Sequence, residues 1–204
     1  MKTEVIKNFV VLEGLDGSGT TTQLNIITKR LEKDGITVIR TFEPTDNPIG
    51  KLIRKVLKKE LSLEPKTISR LFVADRHEHI YGKNGIIENS SKGHLVLCDR
   101  YLFSSLAYQT PECGFDYVKN INQNFPLPEH IFFFNVPVNI CQERIAKRGD
   151  EKELFDAYEY QLKVHKNYLR ALELYKNSEM NIHTIDGTKS PEEISNEIYN
   201  IIRQ

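Results

Sequence analysis

The chain has 204 residues, 39% hydrophobic and 27% charged, and its 28 Lys+Arg balance 28 Asp+Glu. That length suits one α/β domain with a sizeable core, and the zero net charge lacks the basic excess of a nucleic-acid binder. Three cysteines with no CxxC pair argue against a disulfide framework and for a reducing compartment. The apolar runs fall far short of the ~20 residues that span a bilayer, and the polar start Met1–Lys7 lacks a signal-peptide core. The expectation is a cytoplasmic protein with no membrane or nucleic-acid partner.

Five β-rich runs appear in chain order: Phe9–Leu12, Ile36–Thr41, His94–Cys98, Ile131–Phe134 and Ile182–Ile185. Near-continuous apolar strands alternating with helical patterns predict a parallel sheet covered on both faces. Between the first two runs, Leu24, Ile27 and Leu31 share a helix face that stops at Gly35. Asn47-Pro48 reads as a cap with proline at the first helical position, and Asn124–Pro128 as a connector. Phe155, Tyr158, Leu162, His165, Leu169 and Leu172 predict one buried stripe on a long helix. Ser190-Pro191-Glu192-Glu193 opens the last helix with a capping box.

Gly14-Leu15-Asp16-Gly17-Ser18-Gly19-Thr20-Thr21 joins the first strand to the first helix, the context of a phosphate-binding loop. Gly14, Gly17 and Gly19 let backbone N–H groups, together with Ser18, Thr20 and Thr22, curl around phosphate oxygens at a helix N-terminus. Thr21 holds the position whose hydroxyl binds Mg²⁺. Position 20 is where the pattern has a lysine that neutralises the transferring phosphoryl group; Thr20 brings a hydroxyl and no charge. The loop alone also admits a plain glycine-rich turn.

Phe72 and Arg76 stand one helical turn apart, a ring and a guanidinium suited to a planar base with a carbonyl edge. A core phenylalanine beside a surface arginine is the commoner meaning of such a pair. Leu95–Cys98 runs into Asp99-Arg100, and ligands of open α/β sheets bind at carboxyl ends of strands. There Asp99 can hold Mg²⁺ or its waters, and Arg100 can grip a phosphate; a helix cap beside a structural arginine is the other reading. Ser104, Ser105, Tyr108 and Gln109 present polar groups one turn apart, as a sugar site would. Arg144, Lys147 and Arg148 precede Gly149-Asp150, either a cationic turn that closes over phosphates or a solvated helix end.

In order along the chain, these segments resemble the thymidylate kinase family of P-loop nucleoside-monophosphate kinases. The resemblance lies in Glu13–Gly19, in Glu43-Pro44-Thr45-Asp46 with Ile49-Gly50 and Arg54, and in Leu71–Arg76. It continues through Asp99–Gln109, the most specific match, then Val136-Pro137, Glu143-Arg144, Arg148-Gly149 and Ile185–Gly187. It implies a P-loop NTPase three-layer fold, a five-stranded parallel sheet of order 2-3-1-4-5, in one domain over 1–204 with a short lid around 144–153. It implies transfer of the γ-phosphoryl of ATP to dTMP with Mg²⁺, in a homodimer. Phe72 would stack on thymine and Arg76 bond its carbonyl edge, with Pro44 beside the substrate. Arg100 would hold the substrate phosphate, Asp16 the sugar 3′-OH or the metal shell, and Tyr108 would crowd the 2′ position. Arg144 and Arg148 would serve ATP. Three positions depart from the family pattern: Thr20 for lysine, Phe42 for arginine and Asn135 for aspartate. The substrate half of the site is otherwise complete, so the expectation is an active kinase in which lid arginines, Arg100 and Mg²⁺ compensate. A kinase for another monophosphate and a silent nucleotide-binding protein are the alternatives.

Overall fold

Strand β1 (Val5–Gly14) alternates between two cores. Phe9 and Val11 enter one, Val10 and Leu12 the other, because successive strand residues face opposite sides of a sheet. The computed structural model describes residues 4–148, 154–155 and 157–203, without the Arg148 side chain. After β1 come α1 (Thr20–Lys33), β2 (Val38–Phe42), α2 (Pro48–Leu57), α3 (Pro65–Tyr81), α4 (Ile86–Ser91) and β3 (Leu95–Asp99). Then follow α5 (Leu102–Tyr108), α6 (Thr110–Cys113), α7 (Phe115–Asn122), β4 (Leu127–Asn135), α8 (Val138–Arg148), α9 (Tyr158–Tyr175), β5 (Asn181–Asp186) and α10 (Pro191–Ile202).

The five strands are all parallel in the order β2-β3-β1-β4-β5, as the resemblance implied. Leu24, Ile27 and Leu31 of α1 and Ile194 and Ile198 of α10 pack on Val10, Leu12, Phe132 and Phe134. Leu102, Phe103 and Leu106 of α5 and Val164 and Tyr168 of α9 pack on Val11, Ile131 and Phe133 from the opposite side. Asp99 pairs with both Leu12 and Phe42, and Gly14 with Phe134, so three strand ends meet at one edge. The P-loop and Arg100 leave the sheet there.

Local signals account for the helix starts. The Asn47 side chain accepts from the Ile49 and Gly50 N–H groups with Pro48 at the first position, and Ser190 and Glu193 cap reciprocally. The fourth strand begins at Leu127, inside the expected connector. Its ladder with β1 shifts between Ile6 and Val10, where Asn8 takes a left-handed φ of 55°. The Glu129 carboxylate takes the Asn8 N–H freed by that shift.

The expected stripe on the long helix holds at Leu172 and at Phe155, which packs on the core, but not at Tyr158, Leu162 and Leu169. Gln161, Val164, Tyr168, Ala171 and Leu172 turn inward, while Tyr158, Leu162 and Leu169 are 47%, 41% and 46% exposed. Two stripes with the same helical period interleave, and hydropathy favours the one richer in leucine. Hydrogen bonding decides otherwise: Tyr168 reaches the buried Glu13, and Gln161 binds the Phe155 carbonyl.

At the opposite end of the sheet from the P-loop, His130 Nδ1 and His183 Nε2 are 3.0 Å apart, and both rings stack near Phe132. Burial lowers both imidazole pKa values, and His130 lowers that of His183 further. Glu129 opposes the shift at His130, and Lys7 adds to it. Folded-state values below the unfolded value near 6.5 mean that the unfolded chain binds protons first. The pair's contribution is therefore present above that pH and lost as pH falls through it. His130→Gln should flatten the decline in melting temperature between pH 7.5 and 5.5, read by thermal scans of both proteins. An equally steep decline would remove the pair from the account.

Candidate active site

Gly14 ends β1, and the chain turns through Ser18, whose N–H donates to the Leu15 carbonyl at 3.0 Å, into α1 at Thr20. Gly17 has a φ of 82°, and a Cβ there would stand 2.5 Å from the Cys141 carbonyl, so only glycine fits. The resulting cradle bounds a cavity of about 460 Å³ lined by Gly17–Gln23. The Ser18 hydroxyl is buried without a hydrogen-bond partner and points back at Gly14, away from the cavity, so the phosphate-facing donors of Ser18 are backbone ones. Gly14 itself lies behind the cradle, against Ser18 and Phe134. Thr20 is buried, while Thr21 and Thr22 are exposed.

The Thr21 hydroxyl donates to Asp99 Oδ2 at 2.5 Å, and Asp99 Oδ1 is buried with no partner. A hydroxyl and a carboxylate with one oxygen spare are hard oxygen donors that fit Mg²⁺.

A second cavity, about 660 Å³, opens beside the first. Arg100 guards the join, in a left-handed conformation with φ 70°. Its Nη1 donates to the Gly14 carbonyl at 3.0 Å and to the Ser104 and Tyr168 hydroxyls at 3.3 Å each; its Nη2 donates to Asp16 Oδ1 at 2.6 Å. The Tyr108 hydroxyl donates to Asp16 Oδ2 at 2.9 Å and accepts from the Asp16 N–H at 3.1 Å. Burial works against the Arg100 charge, but Asp16, Tyr108, Tyr168 and Asp99 together outweigh that cost and hold the pKa well above the ordinary value.

Beneath this clamp lies Glu13, fully buried. It accepts from the Ser104 hydroxyl at 2.6 Å, the Tyr168 hydroxyl at 3.0 Å, and the Tyr101 and Ser104 N–H groups at 2.8 and 3.2 Å. With both hydroxyl protons aimed at Glu13, their lone pairs are left for Arg100. Burial pushes the Glu13 carboxyl up to about 7, against the lowering pull of those donors and of Arg100.

The far wall is a buried ion pair. Arg76, 1% exposed, donates through Nε and Nη2 to Glu43 Oε2 at 2.9 and 2.7 Å, to Ser105 Oγ at 2.9 Å, and to Asn122. His79 Nδ1 lies 3.1 Å from the other Glu43 oxygen. Asp75 holds the Thr45 N–H and hydroxyl, and Arg54 holds the Pro44 and Thr45 carbonyls, which fixes the Glu43–Thr45 turn with its cis Glu43–Pro44 peptide. Phe72, Gln109 and Phe155 complete the lining, and the Gln109 carbonyl is buried without a donor.

A family model described as "Thymidylate kinase" matches residues 12–198. This chain belongs to the thymidylate kinase family. A Treponema pallidum protein bearing the same family name is 44% identical over 166 residues, 80% of this chain and 78% of its own length. "Probable thymidylate kinase" of Pyrococcus abyssi is 38% identical, covering 96% of this chain and 95% of its own. "Thymidylate kinase" of Leptospira borgpetersenii is 35% identical over 95% of this chain and 92% of its own.

In this member of the thymidylate kinase family, Asp16, Pro44, Phe72, Arg76, Arg100, Ser104, Ser105, Tyr108 and Gln109 all line the second cavity. Arg144 lines the first, its guanidinium donating to the Gly17, Ser18 and Gly187 carbonyls at 3.4, 3.3 and 2.9 Å. The Arg148 side chain and residues 149–153 of the expected lid lie outside the described residues. Phe42 lines the substrate side, its ring 5.3 Å from the Arg54 guanidinium, and Asn135 accepts from His165. Sequence reasoning passed over Glu13, Glu43 and Tyr168 as parts of the site, and Arg54 was only a motif letter. Glu13 could have been noticed as a carboxylate closing an apolar strand run; Tyr168 carried no such signal. Cys98 and Cys141 are buried thiols, Cys98 pushed well up and Cys141 to about 11 by burial, so neither is a nucleophile.

Proposed function

We propose that the chain transfers the γ-phosphoryl of ATP to dTMP, giving dTDP and ADP. One observation carries this reading: Asp16, Thr21 and Arg100 line both cavities, so a donor and an acceptor phosphate would meet at those three residues. ATP phosphates lie in the Gly17–Thr22 cradle, with Arg144 beside them. The thymidine moiety lies between Phe72, Arg76, Gln109 and Tyr108, and Arg100 turns from Asp16 to the incoming phosphate. That phosphate oxygen is already anionic, so alignment and charge neutralisation suffice without a general base. Thr21 and Asp99 would hold Mg²⁺, which would supply neutralisation of phosphate charge. The chain acts in the cytoplasm as a single-domain homodimer with a cationic lid around 144–153. Among the described residues, no helix is long and apolar enough to cross a membrane.

The test is ADP release from ATP and Mg²⁺ with and without dTMP, alongside dUMP and dCMP. Turnover should need dTMP and vanish with EDTA. Binding of both nucleotides without turnover would favour a silent binding protein, the reading that Thr20 alone supports.

A further inference from the structure

We propose that Lys147 replaces the missing P-loop lysine, its ammonium reaching the γ-phosphoryl from α8 at the wall of the phosphate cavity. The inference rests on the kinase reading above and specifies one group within it. Thr20 is buried at the α1 N-terminus, and its side chain carries no charge. Among the described residues, four cationic side chains line the phosphate cavity: Arg100, Arg144, Lys147 and Lys189. Three are engaged. Arg100 is held by Asp16 and the Gly14 carbonyl, Arg144 spans three carbonyls, and Lys189 pairs with Glu197 at 3.1 Å. Lys147 forms no hydrogen bond or ion pair with the described residues, and it is exposed.

Its placement follows from helix periodicity. Lys147 stands three residues after Arg144 on α8, hence on the same face, and Arg144 is clasped to the P-loop backbone. That clasp fixes α8 against the cradle, while the flexible four-carbon stem lets the ammonium travel. In the transfer, the bond from the γ-phosphorus to the ADP oxygen breaks as the bond to the dTMP phosphate oxygen forms. The ammonium keeps its three protons throughout and donates hydrogen bonds to the equatorial oxygens, where charge collects. The P-loop cradle then supplies backbone and hydroxyl donors without a charge, and the point charge arrives from α8.

Lys147→Ala should lower kcat by roughly 10²-fold with little change in KM for dTMP. It should weaken binding of ATPγS while leaving ADP affinity unchanged, because the contact is with the terminal phosphate. Lys147 is exposed, so the variant should melt with the native protein. Lys147→Arg should keep most of the rate. Thr20→Lys added to Lys147→Ala should recover most of the lost kcat, since both lysines serve one phosphate. Unchanged kcat in Lys147→Ala, or no recovery on adding Thr20→Lys, overturns the proposal. If the native chain releases no ADP, the kinase reading fails, and the ATPγS-against-ADP comparison still decides the role of Lys147.

Discussion

Arg100→Met lowers kcat/KM for dTMP by roughly 10²- to 10³-fold, the range for a preorganised charged donor removed from a water-poor site. The expectation rests on how many groups hold this side chain. The Gly14 carbonyl and the Ser104 and Tyr168 hydroxyls aim Nη1, while Asp16 alone occupies Nη2. An incoming phosphate need displace only the Asp16 carboxylate, and the rest of the guanidinium stays aligned. Methionine keeps the apolar stem but leaves Asp16 with the Tyr108 hydroxyl and no cation. Arg100→Lys restores a charge without the planar fork and should recover only part of the loss. Steady-state kinetics at varied dTMP and saturating ATP measure this, with circular dichroism confirming the fold. A change below about threefold would remove Arg100 from phosphate binding.

Arg76→Met should destabilise the folded chain by about 3–5 kcal/mol, the cost of stranding one partner of a buried pair. Glu43 is 5% exposed, and with Arg76 gone it retains only His79 as a possible cation. The Asn122 side-chain oxygen loses its Arg76 donor as well, and the Ser105 hydroxyl is left with Gln109. Adding Glu43→Leu to Arg76→Met should recover part of that loss, because apolar groups of similar volume replace a buried pair at little cost. Urea midpoints of the two single variants and the double variant give the coupling. Strict additivity would mean that Arg76 and Glu43 act independently, and that Arg76 is in place for the substrate alone.

The fold was largely legible because each strand is a short apolar run and each helix carries its own punctuation. Asn47-Pro48 and Ser190-Pro191 cap as their chemistry demands. Legibility failed where two answers share one period. On α9 the Leu-rich stripe and the Tyr168 stripe both repeat at helical spacing, and hydrogen bonds from Tyr168 to the Glu13 carboxylate, 155 positions away, and from Gln161 to the Phe155 carbonyl select between them. The site divides in the same way. Glycine loops and Asp99-Arg100 are contiguous and readable. The polar support beneath Arg100 comes from β1, α5 and α9, and its parts acquire meaning only when the sheet assembles. Arg76 is instructive: its spacing from Phe72 pointed to a base-reading pair, yet four of its hydrogen bonds go to Glu43, Ser105 and Asn122.

The place of β1 in the sheet bears on how the chain is made. It leaves the ribosome before the other four strands and is the middle one of the finished sheet. Neither neighbour exists until β3 and β4 have been synthesised, and Lys7 meets Glu129 across 122 positions. Early pairing is therefore long-range, which slows folding and leaves an apolar strand with two open edges meanwhile. A chain halted before Leu127 would carry the P-loop on a strand with one side bare, ready to recruit a stray partner or a chaperone.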